Sequence, residues 1–499
     1  MRAKKQLSYD FIGALLLCGF TLGLFALLQR DFWLVLFPDD GFYYLRIAQN
    51  IAQGRGSTFD GINPTNGYHP LWMIILTILA KLFQSPISFA IAVVVVGVLL
   101  TAGGFAILAK LFYSQFQHRW GLWLAGAVVF LNPVLVSVFI NGMESSLYFF
   151  LLSLGFWFVL KNWGQEDFFR WFGLGAFFGL VFLSRLDGGL LAVWIVVFIL
   201  LRDKNWRKNL KLAVAFALGG ILLGAPYLIY NQIFLGHPVP ISGRIKAYFR
   251  SRDIIYLSIL SLGFLASLVG VFIYYYRSKE KLGIFWRVLL IYLAFSFSII
   301  FYYFLSPAYA LSLWYYIPLL ILFFFLPAGI ILKLSTRSRV LFSSLVLVVG
   351  LVLAFGGYYL YLSSSATSIF KLHRQTIDWI KRHIPKESLL GAYSAGYIVY
   401  FTERDTVNLD GLVNSPEYFF KYRIQGKRDE FIKKIGIDYI LMYQYLEKKE
   451  DKPRIIFNFP VKKIYQQKVF YRGPGTFFQP SWIVFFILQT PFCDHLPVQ

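Results

Sequence analysis

Residues 39–72 read DDGFYYLRIAQNIAQGRGSTFDGINPTNGYHPLW, and this stretch decides how the rest of the sequence is interpreted. It follows an apolar run at residues 9–29 and precedes many more such runs. Within it, residues 41–53 place apolar side chains on one side at helical spacing, which predicts an amphipathic helix lying on a membrane surface. Asp39 and Asp40 directly precede that helix, where a carboxylate either caps the helix or takes part in chemistry.

The composition of the chain is that of a polytopic membrane protein. Hydrophobic residues make up 58% of the 499 residues and charged residues 15%, and the mean hydropathy is +0.61. Ordinary globular domains are about half apolar and about a quarter charged, so lipid must solvate much of this chain. The net charge of +23 comes from short basic clusters between apolar runs, a placement that sets membrane orientation and argues against nucleic acid as a partner. Two cysteines, Cys18 and Cys493, are too few for a disulfide framework.

Apolar runs long enough, or nearly long enough, to cross a bilayer recur along the chain, since a spanning helix needs about 17 to 25 residues. They predict transmembrane helices near residues 9–29, 87–109, 120–140, 147–161, 171–184, 188–201, 212–230, 254–276, 288–305, 314–332 and 340–362. Proline breaks some of them, such as Pro133. The run 70–83 is only about three quarters of a span. We therefore predict a polytopic α-helical membrane protein with about eleven transmembrane helices and two interfacial helices, at 41–53 and 70–83.

Basic residues indicate which side of the membrane each loop faces. Five loops share a high content of lysine and arginine: 110–119, 161–170, 202–211, 277–287 and 333–339. If the run 70–83 lies along the interface, all five face one side, and the positive-inside rule assigns that side to the cytoplasm. The N-terminus is then cytoplasmic, whereas the first external loop 30–86 and the chain from residue 363 onward are extracytoplasmic.

The composition changes at residue 363, where charge rises and spanning runs stop. We expect a transmembrane catalytic domain at 1–362 and a small extracytoplasmic α/β domain at 363–499. Several segments of the second domain have a clear pattern: a helix that ends before Pro385, the strands SLLGAY, DTVNL and DYILMY, and the helix RDEFIKKIG. The apolar stretch 482–488 is too short to span, so it packs in this domain or touches the interface.

Acidic residues gather on the predicted external face. Asp39 and Asp40 are adjacent carboxylates near an apolar surface, where mutual repulsion raises the pKa of at least one of them and suits a general base. Glu144, in the short external turn NGMESS, either caps the following helix or binds a metal ion or an acceptor. The sequence therefore leaves open whether the protein binds a divalent cation, and it indicates no other cofactor.

Basic residues on the same face indicate an anionic ligand. Arg185 either pairs with Asp187 or grasps a lipid phosphate. Arg244 and Lys246 lie in an external loop where lysine and arginine should be scarce, so they fit lipid headgroups or a bound diphosphate or phosphate ester. His69 is either structural or a hydrogen-bond donor to a phosphate.

Motifs for nucleotide-driven chemistry are absent from the sequence, which contains no GxxxxGK[ST], Rossmann glycine fingerprint, HExxH or GxSxG. Two other functions stay open. A transporter or flippase needs ionisable residues or broken helices near mid-bilayer, and a non-catalytic relative would bind lipid or glycan only. The predicted spans carry almost no charge while acids collect at one surface, which favours an enzyme.

The first loop resembles that of the GT-C superfamily of glycosyltransferases, especially its bacterial arabinofuranosyltransferase-like members. Later segments are similar to landmarks of the same group: NGMESSLYFF, LSRLDGGLL, PYLIYNQIFLGHPVP and AGYIVYFTERDTVNLDGLVN. The resemblance covers most of the chain. It implies an inverting transfer of a sugar from a polyprenyl-phosphate donor to an extracytoplasmic glycan, lipid or protein, in a prokaryotic plasma membrane.

The resemblance also implies roles for single residues. The first acid of the first-loop pair, here Asp39, corresponds to the general base, and Glu144 matches an acidic position that serves metal or acceptor binding in some branches. The aminoarabinose and protein mannose transferases have a lysine before a proline where this chain has His69 and Pro70, so His69 departs from that pattern. We expect Asp39 to take the acceptor proton while Arg185 and the basic loop stabilise the departing lipid phosphate.

Overall fold

The computed structural model describes residues 2–28, 37–117, 120–248, 283–305, 313–322, 364–394, 396–446, 455, 457–471 and 481–492. The predicted spans 254–276 and 340–362, and part of 314–332, lie outside the described residues. The described part of the chain is largely helical, and its strands lie within residues 390–489. Two regions therefore follow each other in sequence, an apolar helical region and a mixed one.

The helical region contains α1 (Arg2–Leu28), α2 (Asp39–Ala52), α3 (Pro70–Leu82), α4 (Pro86–Phe116), α5 (Trp120–Phe130), α6 (Pro133–Phe139), α7 (Ser145–Asn162), α8 (Phe168–Ser184), α9 (Gly188–Leu200), α10 (Trp206–Leu235), α11 (Ile241–Tyr248) and α12 (Ile284–Leu305). Among the described residues, α4, α7, α10 and α12 are long and apolar enough to cross a bilayer. Helices α8 and α9 have 17 and 13 residues and are shorter than a typical span. The number of eleven spans stays a prediction.

The predicted span 120–140 is broken into two helices. Helix α5 ends at Phe130, and α6 starts at Pro133 with its axis turned by 93°. The break has a local cause. Asn132 caps α6 by accepting hydrogen bonds from the backbone N–H groups of Val134 and Leu135, and Pro133 has no N–H to continue α5.

Close helix packing in the apolar region depends on small residues. Helices α8 and α10 approach so closely that a Cβ atom on Gly175 would overlap the backbone oxygen of Phe216. A Cβ atom on Gly219 would likewise overlap the backbone oxygen of Phe172. Apolar side chains gain little by leaving lipid for a helix interface, so such contacts between small residues are a main source of stability there.

The first loop forms α2, an ordered turn segment and α3. Helix α2 begins at Asp39, two residues before the predicted start, and Pro38 occupies its N-cap position. Residues 41–50 are all buried, so α2 differs from the predicted helix with one side open to water. The reason is tertiary: α3 covers one side of α2 and the C-terminal region covers another.

The C-terminal region combines helices with a sheet. Its elements are α13 (Ser364–His383), β1 (Leu390–Ala392), α14 (Gly396–Thr402), β2 (Thr406–Asn408), α15 (Arg428–Ile435), β3 (Tyr439–Leu446), β4 (Lys462–Tyr471) and β5 (Ser481–Gln489). The strand order is β2-β1-β3-β5-β4; β1 is parallel to β2 and β3, whereas β5 is antiparallel to β3 and β4. The predicted strands in SLLGAY, DTVNL and DYILMY and the helix in RDEFIKKIG are confirmed. Residues 482–488 form part of β5.

Contacts between α2 and the C-terminal region position the acidic pair. Asp405 accepts hydrogen bonds from the guanidinium groups of Arg46, at 3.3 Å, and Arg55, at 2.7 Å. Helix α14 packs against α2, and a Cβ atom on Gly396 would overlap the backbone oxygen of Asp39. The start of α2 therefore lies directly against the start of α14.

Candidate active site

Asp39 is a partly buried residue at the start of α2, and its carboxyl oxygen Oδ2 is buried. The backbone N–H of Tyr397 donates to its Oδ1 atom at 3.2 Å, and its Oδ2 atom has no hydrogen-bond partner among the described residues. Burial raises the pKa of Asp39 to about 7; the nearby Tyr43 hydroxyl opposes this shift, and the charges of Asp40 and Asp410 add to it. At neutral pH Asp39 is therefore poised between its acidic and basic forms.

Asp40, its neighbour, has a different environment. Lys246 of α11 forms an ion pair with it, with 2.9 Å between Nζ and Oδ2. The same ammonium group donates to the Tyr315 hydroxyl at 3.0 Å. No side chain caps α2, so helix capping explains neither acid. Burial opposes the charge on Lys246, but Asp40 and Tyr315 outweigh that effect and raise the pKa of Lys246.

Asp410 belongs to the same site, although the sequence did not identify it as a site residue. The Tyr43 hydroxyl donates to its Oδ2 atom at 3.0 Å, and the Asn408 amide donates to the Tyr43 hydroxyl at 3.2 Å. The backbone N–H of Ser394 donates to Oδ2 as well, at 3.1 Å, and burial raises the pKa of Asp410. The only sequence signal is an acid in the turn after a short strand, which many structural turns share.

A second group of charges surrounds Arg185, between α8 and α9. Glu144 is 3% exposed and accepts a hydrogen bond from Arg185 Nη1 at 3.1 Å. Asp187 lies 3.0 Å from Arg185 Nη2. The pairing of Arg185 with Asp187, which the sequence left open, is therefore present, and Glu144 adds a second carboxylate to the same guanidinium group.

His69 lies beside Glu144, with 3.7 Å between its Nε2 atom and Oε1. Burial lowers the pKa of His69, and the charge of Glu144 only partly opposes that shift. Its backbone N–H donates to the Tyr44 hydroxyl at 3.0 Å. A histidine with a lowered pKa is neutral at physiological pH, so His69 can act on a ligand as a hydrogen-bond donor but not as a cation.

Three helix starts converge at this second group. His69, Glu144 and Asp187 occupy the N-cap positions of α3, α7 and α9, and none of their side chains makes a capping hydrogen bond. Capping is the ordinary use of a polar side chain at such a position. Here Glu144 and Asp187 bind Arg185 instead, so the capping interpretation of Glu144 is wrong.

Tyr315 connects the two groups, and the sequence did not identify it either. The guanidinium carbon of Arg185 lies 5.0 Å from the centre of its ring, and Lys246 Nζ lies 5.6 Å from the same centre. Both distances are typical of cation–π contacts. The two groups are therefore neighbours across one ring, and together they bring Asp39, Asp40, Asp410 and Lys246 close to Glu144, Arg185 and His69.

Arg244 lies apart from these contacts. It is exposed on α11, and its charge contributes, after burial, to the lowered pKa of His237. No group of three His, Cys, Asp or Glu side chains is placed to hold a metal ion within the part of the chain that the structure describes. Glu144 as a metal or acceptor ligand stays a prediction.

Two family models match parts of the chain. The family described as dolichyl-phosphate-mannose-protein mannosyltransferase matches residues 67–230, which include His69, Glu144 and Arg185. A domain of unknown function matches residues 365–486, which include Asp410. No curated protein sequence matches significantly.

The solved structures of ArnT share the fold of this chain at low sequence identity. ArnT from Cupriavidus metallidurans bound to undecaprenyl phosphate is 14% identical, with a TM-score of 0.54, over 84% of this chain and 92% of that one. Its apo form gives a TM-score of 0.52. The arabinosyltransferase EmbB from Mycobacterium smegmatis is 12% identical with a TM-score of 0.44, over 87% of this chain and 44% of that one. The family match and the fold shared with ArnT support the predicted resemblance to GT-C membrane glycosyltransferases.

Proposed function

We propose that this protein transfers a sugar from a polyprenyl-phosphate-linked donor to an acceptor on the extracytoplasmic side of a prokaryotic plasma membrane. One observation carries the proposal. The pKa of the Asp39 carboxyl group is raised to about 7, and its buried Oδ2 atom has no hydrogen-bond partner among the described residues. A group of this kind at the surface of an apolar helical fold suits proton transfer from a hydroxyl group.

Asp39 fits the role of general base better than Asp40. A general base works best when its pKa is near the operating pH, because it is then deprotonated and still basic enough to accept a proton. The Asp40 carboxylate is already paired with the Lys246 ammonium group, with 2.9 Å between Nζ and Oδ2. Among the described residues, the backbone N–H of Tyr397 donates to Asp39 Oδ1 and no hydrogen bond is formed at the buried Oδ2, which is the oxygen that an acceptor hydroxyl would meet.

The proposed reaction is a single displacement. The acceptor hydroxyl gives its proton to Asp39 while its oxygen bonds to the anomeric carbon. The bond between that carbon and the phosphate oxygen breaks, and its electron pair leaves with the lipid phosphate. Attack on the face opposite the leaving group inverts the anomeric configuration.

Lys246 is the residue best placed to stabilise the leaving phosphate. It is a cation beside the acidic pair, and it is held by Asp40 and the Tyr315 hydroxyl. A phosphate oxygen would replace one of these partners in a charge-assisted hydrogen bond. Arg185 is already bound by Glu144 and Asp187, so we propose that it chiefly holds Tyr315 in position.

The remaining phosphate ligands predicted from the sequence have weaker support. His69 can contribute a hydrogen bond as a neutral ring, and Arg244 is exposed, so it suits lipid headgroups. Glu144 retains one buried oxygen, Oε2, with no hydrogen-bond partner among the described residues. That oxygen is the place where an acceptor hydroxyl or a divalent cation would bind.

Transfer itself is the direct test. A panel of polyprenyl-phosphate sugars and candidate acceptors would be added to purified protein in liposomes. The Asp39→Asn variant would serve as the inactive control. We expect one donor to yield a glycosylated acceptor, with the anomeric configuration inverted as measured by NMR. Passage of the donor across the bilayer without transfer would instead support a flippase, and retention of configuration would exclude single displacement.

The orientation of the site is tested separately by cysteine labelling in intact cells. In a background without Cys18 and Cys493, Gln425→Cys should react with a membrane-impermeant maleimide, because we place the C-terminal region outside. Asp203→Cys should be protected, because it lies in a basic loop that the positive-inside rule assigns to the cytoplasm. The reverse labelling pattern would contradict the proposed side.

A further inference from the structure

A cavity of about 440 Å³ lies between the first loop, α3 and the C-terminal end of α10. We call it the interfacial cavity. Its lining includes Thr65, Asn66 and Tyr68 from the first loop, and Tyr227 and Tyr230 from α10. None of the charged residues of the candidate active site lines it, so it is a separate feature of the protein.

The polar side of the interfacial cavity is held rigid. Asn66 uses both ends of its amide: Oδ1 accepts from the backbone N–H of Ile241 at 3.0 Å, and Nδ2 donates to the backbone oxygen of Val239 at 3.4 Å. The hydroxyl groups of Ser57 and Tyr68 are 2.6 Å apart. Ligand sites typically combine such fixed polar groups with apolar and aromatic walls.

The chemistry of the lining excludes a charged ligand and favours a sugar. Among the residues that the structure describes, no Lys, Arg, His, Asp or Glu side chain lines the interfacial cavity, so none of them would compensate the charge of a phosphate. Tyr68, Tyr227 and Tyr230 offer three aromatic rings, against which the C–H faces of a sugar ring pack. Hydroxyl groups at the same wall match sugar hydroxyls.

The opposite wall is apolar and opens toward lipid. Ile74 and Ile78 of α3 line the interfacial cavity and are 58% and 55% exposed. Tyr230 is 55% exposed at the same opening. A molecule that fills the cavity would thus contact both polar groups and the surface of an interfacial helix, as an amphiphile does.

The interfacial cavity is one aromatic layer away from the candidate active site. The ring of Tyr68 lies 6.5 Å from the ring of Tyr44, centre to centre. The Tyr44 hydroxyl in turn accepts from the backbone N–H of His69, whose ring lies beside Glu144. The interfacial cavity therefore adjoins the His69 and Glu144 side of the candidate active site.

We propose that the interfacial cavity binds an uncharged sugar attached to a lipid chain, and that this glycolipid is the acceptor class of the enzyme. The sugar lies against Tyr68, Tyr227 and Tyr230, and the chain follows α3. That this glycolipid is the acceptor rests on the proposed function, whereas the binding site is inferred from the cavity itself. A donor phosphate binds elsewhere, at Lys246.

Direct binding tests the cavity independently of catalysis. Full-length protein in nanodiscs would be titrated with a long-chain alkyl glycoside, and the matched alkyl alcohol and alkyl phosphate would serve as competitors. We expect Tyr230→Ala to weaken glycoside binding about tenfold, as loss of a central aromatic contact does. Tyr230→Phe keeps the ring and should bind within about twofold of wild type. Ile233→Ala, exposed on the same helix outside the lining, is the matched control.

Each result decides a separate point. If the alkyl alcohol competes as well as the glycoside, the interfacial cavity only holds lipid chains and the inference is overturned. If Tyr230→Ala binds as wild type does, the glycoside binds elsewhere. Selective glycoside binding by a protein that transfers no sugar would retain the site and reject the proposed function. In an active enzyme, Tyr230→Ala should raise the KM for the glycoside but not for the donor.

Discussion

Asp39 and Glu144 are both acids with a buried carboxyl oxygen at the starts of helices in one site, yet their surroundings differ. Glu144 lies 3.1 Å from the Arg185 guanidinium group, which also binds Asp187. Among the described residues, no cation lies as close to Asp39. Its neighbours are Tyr43 and two further acids, Asp40 and Asp410. Burial without a counter-charge raises a carboxyl pKa, whereas a close cation favours the charged form.

The difference indicates that Asp39 and Glu144 have different functions. An acid whose pKa lies near 7 can accept a proton and return it, so Asp39 suits chemistry. Glu144 is bound by a guanidinium group that also binds Asp187, so it suits a structural role in holding its neighbours. If the two acids differ in this way, their substitutions should have different effects on activity and stability.

The largest effect is expected for Asp39→Asn. Loss of a general base should lower kcat by about a thousandfold, whereas Asp40→Asn, the adjacent carboxylate, should lower it by about tenfold through loss of its contact with Lys246. The measurement is single-turnover transfer with a saturating donor. A larger loss in Asp40→Asn than in Asp39→Asn would move the base to Asp40.

Arg185→Met should affect stability first. It leaves Glu144 buried beside Asp187 with no cation, which should cost about 3 kcal/mol of unfolding free energy. Thermal unfolding of the detergent-solubilised protein measures the loss. The double variant Arg185→Met with Glu144→Gln should recover part of it, because the uncompensated charge is then removed. No recovery would show that the two residues are not coupled.

Lys246→Met should weaken use of the donor. A charge-assisted hydrogen bond to phosphate contributes about 1.5 to 3 kcal/mol, so kcat/KM for the donor should fall by about ten- to a hundredfold. Arg244→Met, on the same helix but exposed, is the matched control and should change much less. Equal losses in the two variants would extend the phosphate site to Arg244.

The smallest expected effect is a shift in pH dependence for Asp410→Asn. Activity needs Asp39 deprotonated, so it is present above the pKa of about 7 and is lost as pH falls through it. Burial is the main cause of that raised pKa, and the Asp410 charge adds to it. Removing the charge should move the acidic limb of the kcat/KM profile to lower pH. Glu417→Gln, exposed in the same region, should leave the limb in place.

Local sequence patterns were enough for much of the site. Asp39 and Asp40 stand out because two acids follow an apolar run, and Lys246 stands out because it lies in a loop predicted to be external, where basic residues should be scarce. The predicted helices 41–53 and 70–83 nearly coincide with α2 and α3, because hydrophobic periodicity is a local property of the sequence. Asp410 and Tyr315 had no comparable signal, since neither residue type is unusual in its own segment.

The sequence by itself determined that this is a helical membrane protein with acids and bases collected in a few segments, because hydropathy and charge placement are properties of short windows. Only the tertiary structure decided which charges pair. Lys246 reaches Asp40 across more than two hundred residues, and Glu144 binds Arg185 across 41. Packing of the C-terminal region on α2 then buries Asp39 beside Asp410. Burial and ion pairing depend on distances in space. These distances distinguish Asp39, which has no cation partner among the described residues, from Asp40 and Glu144, which each have one.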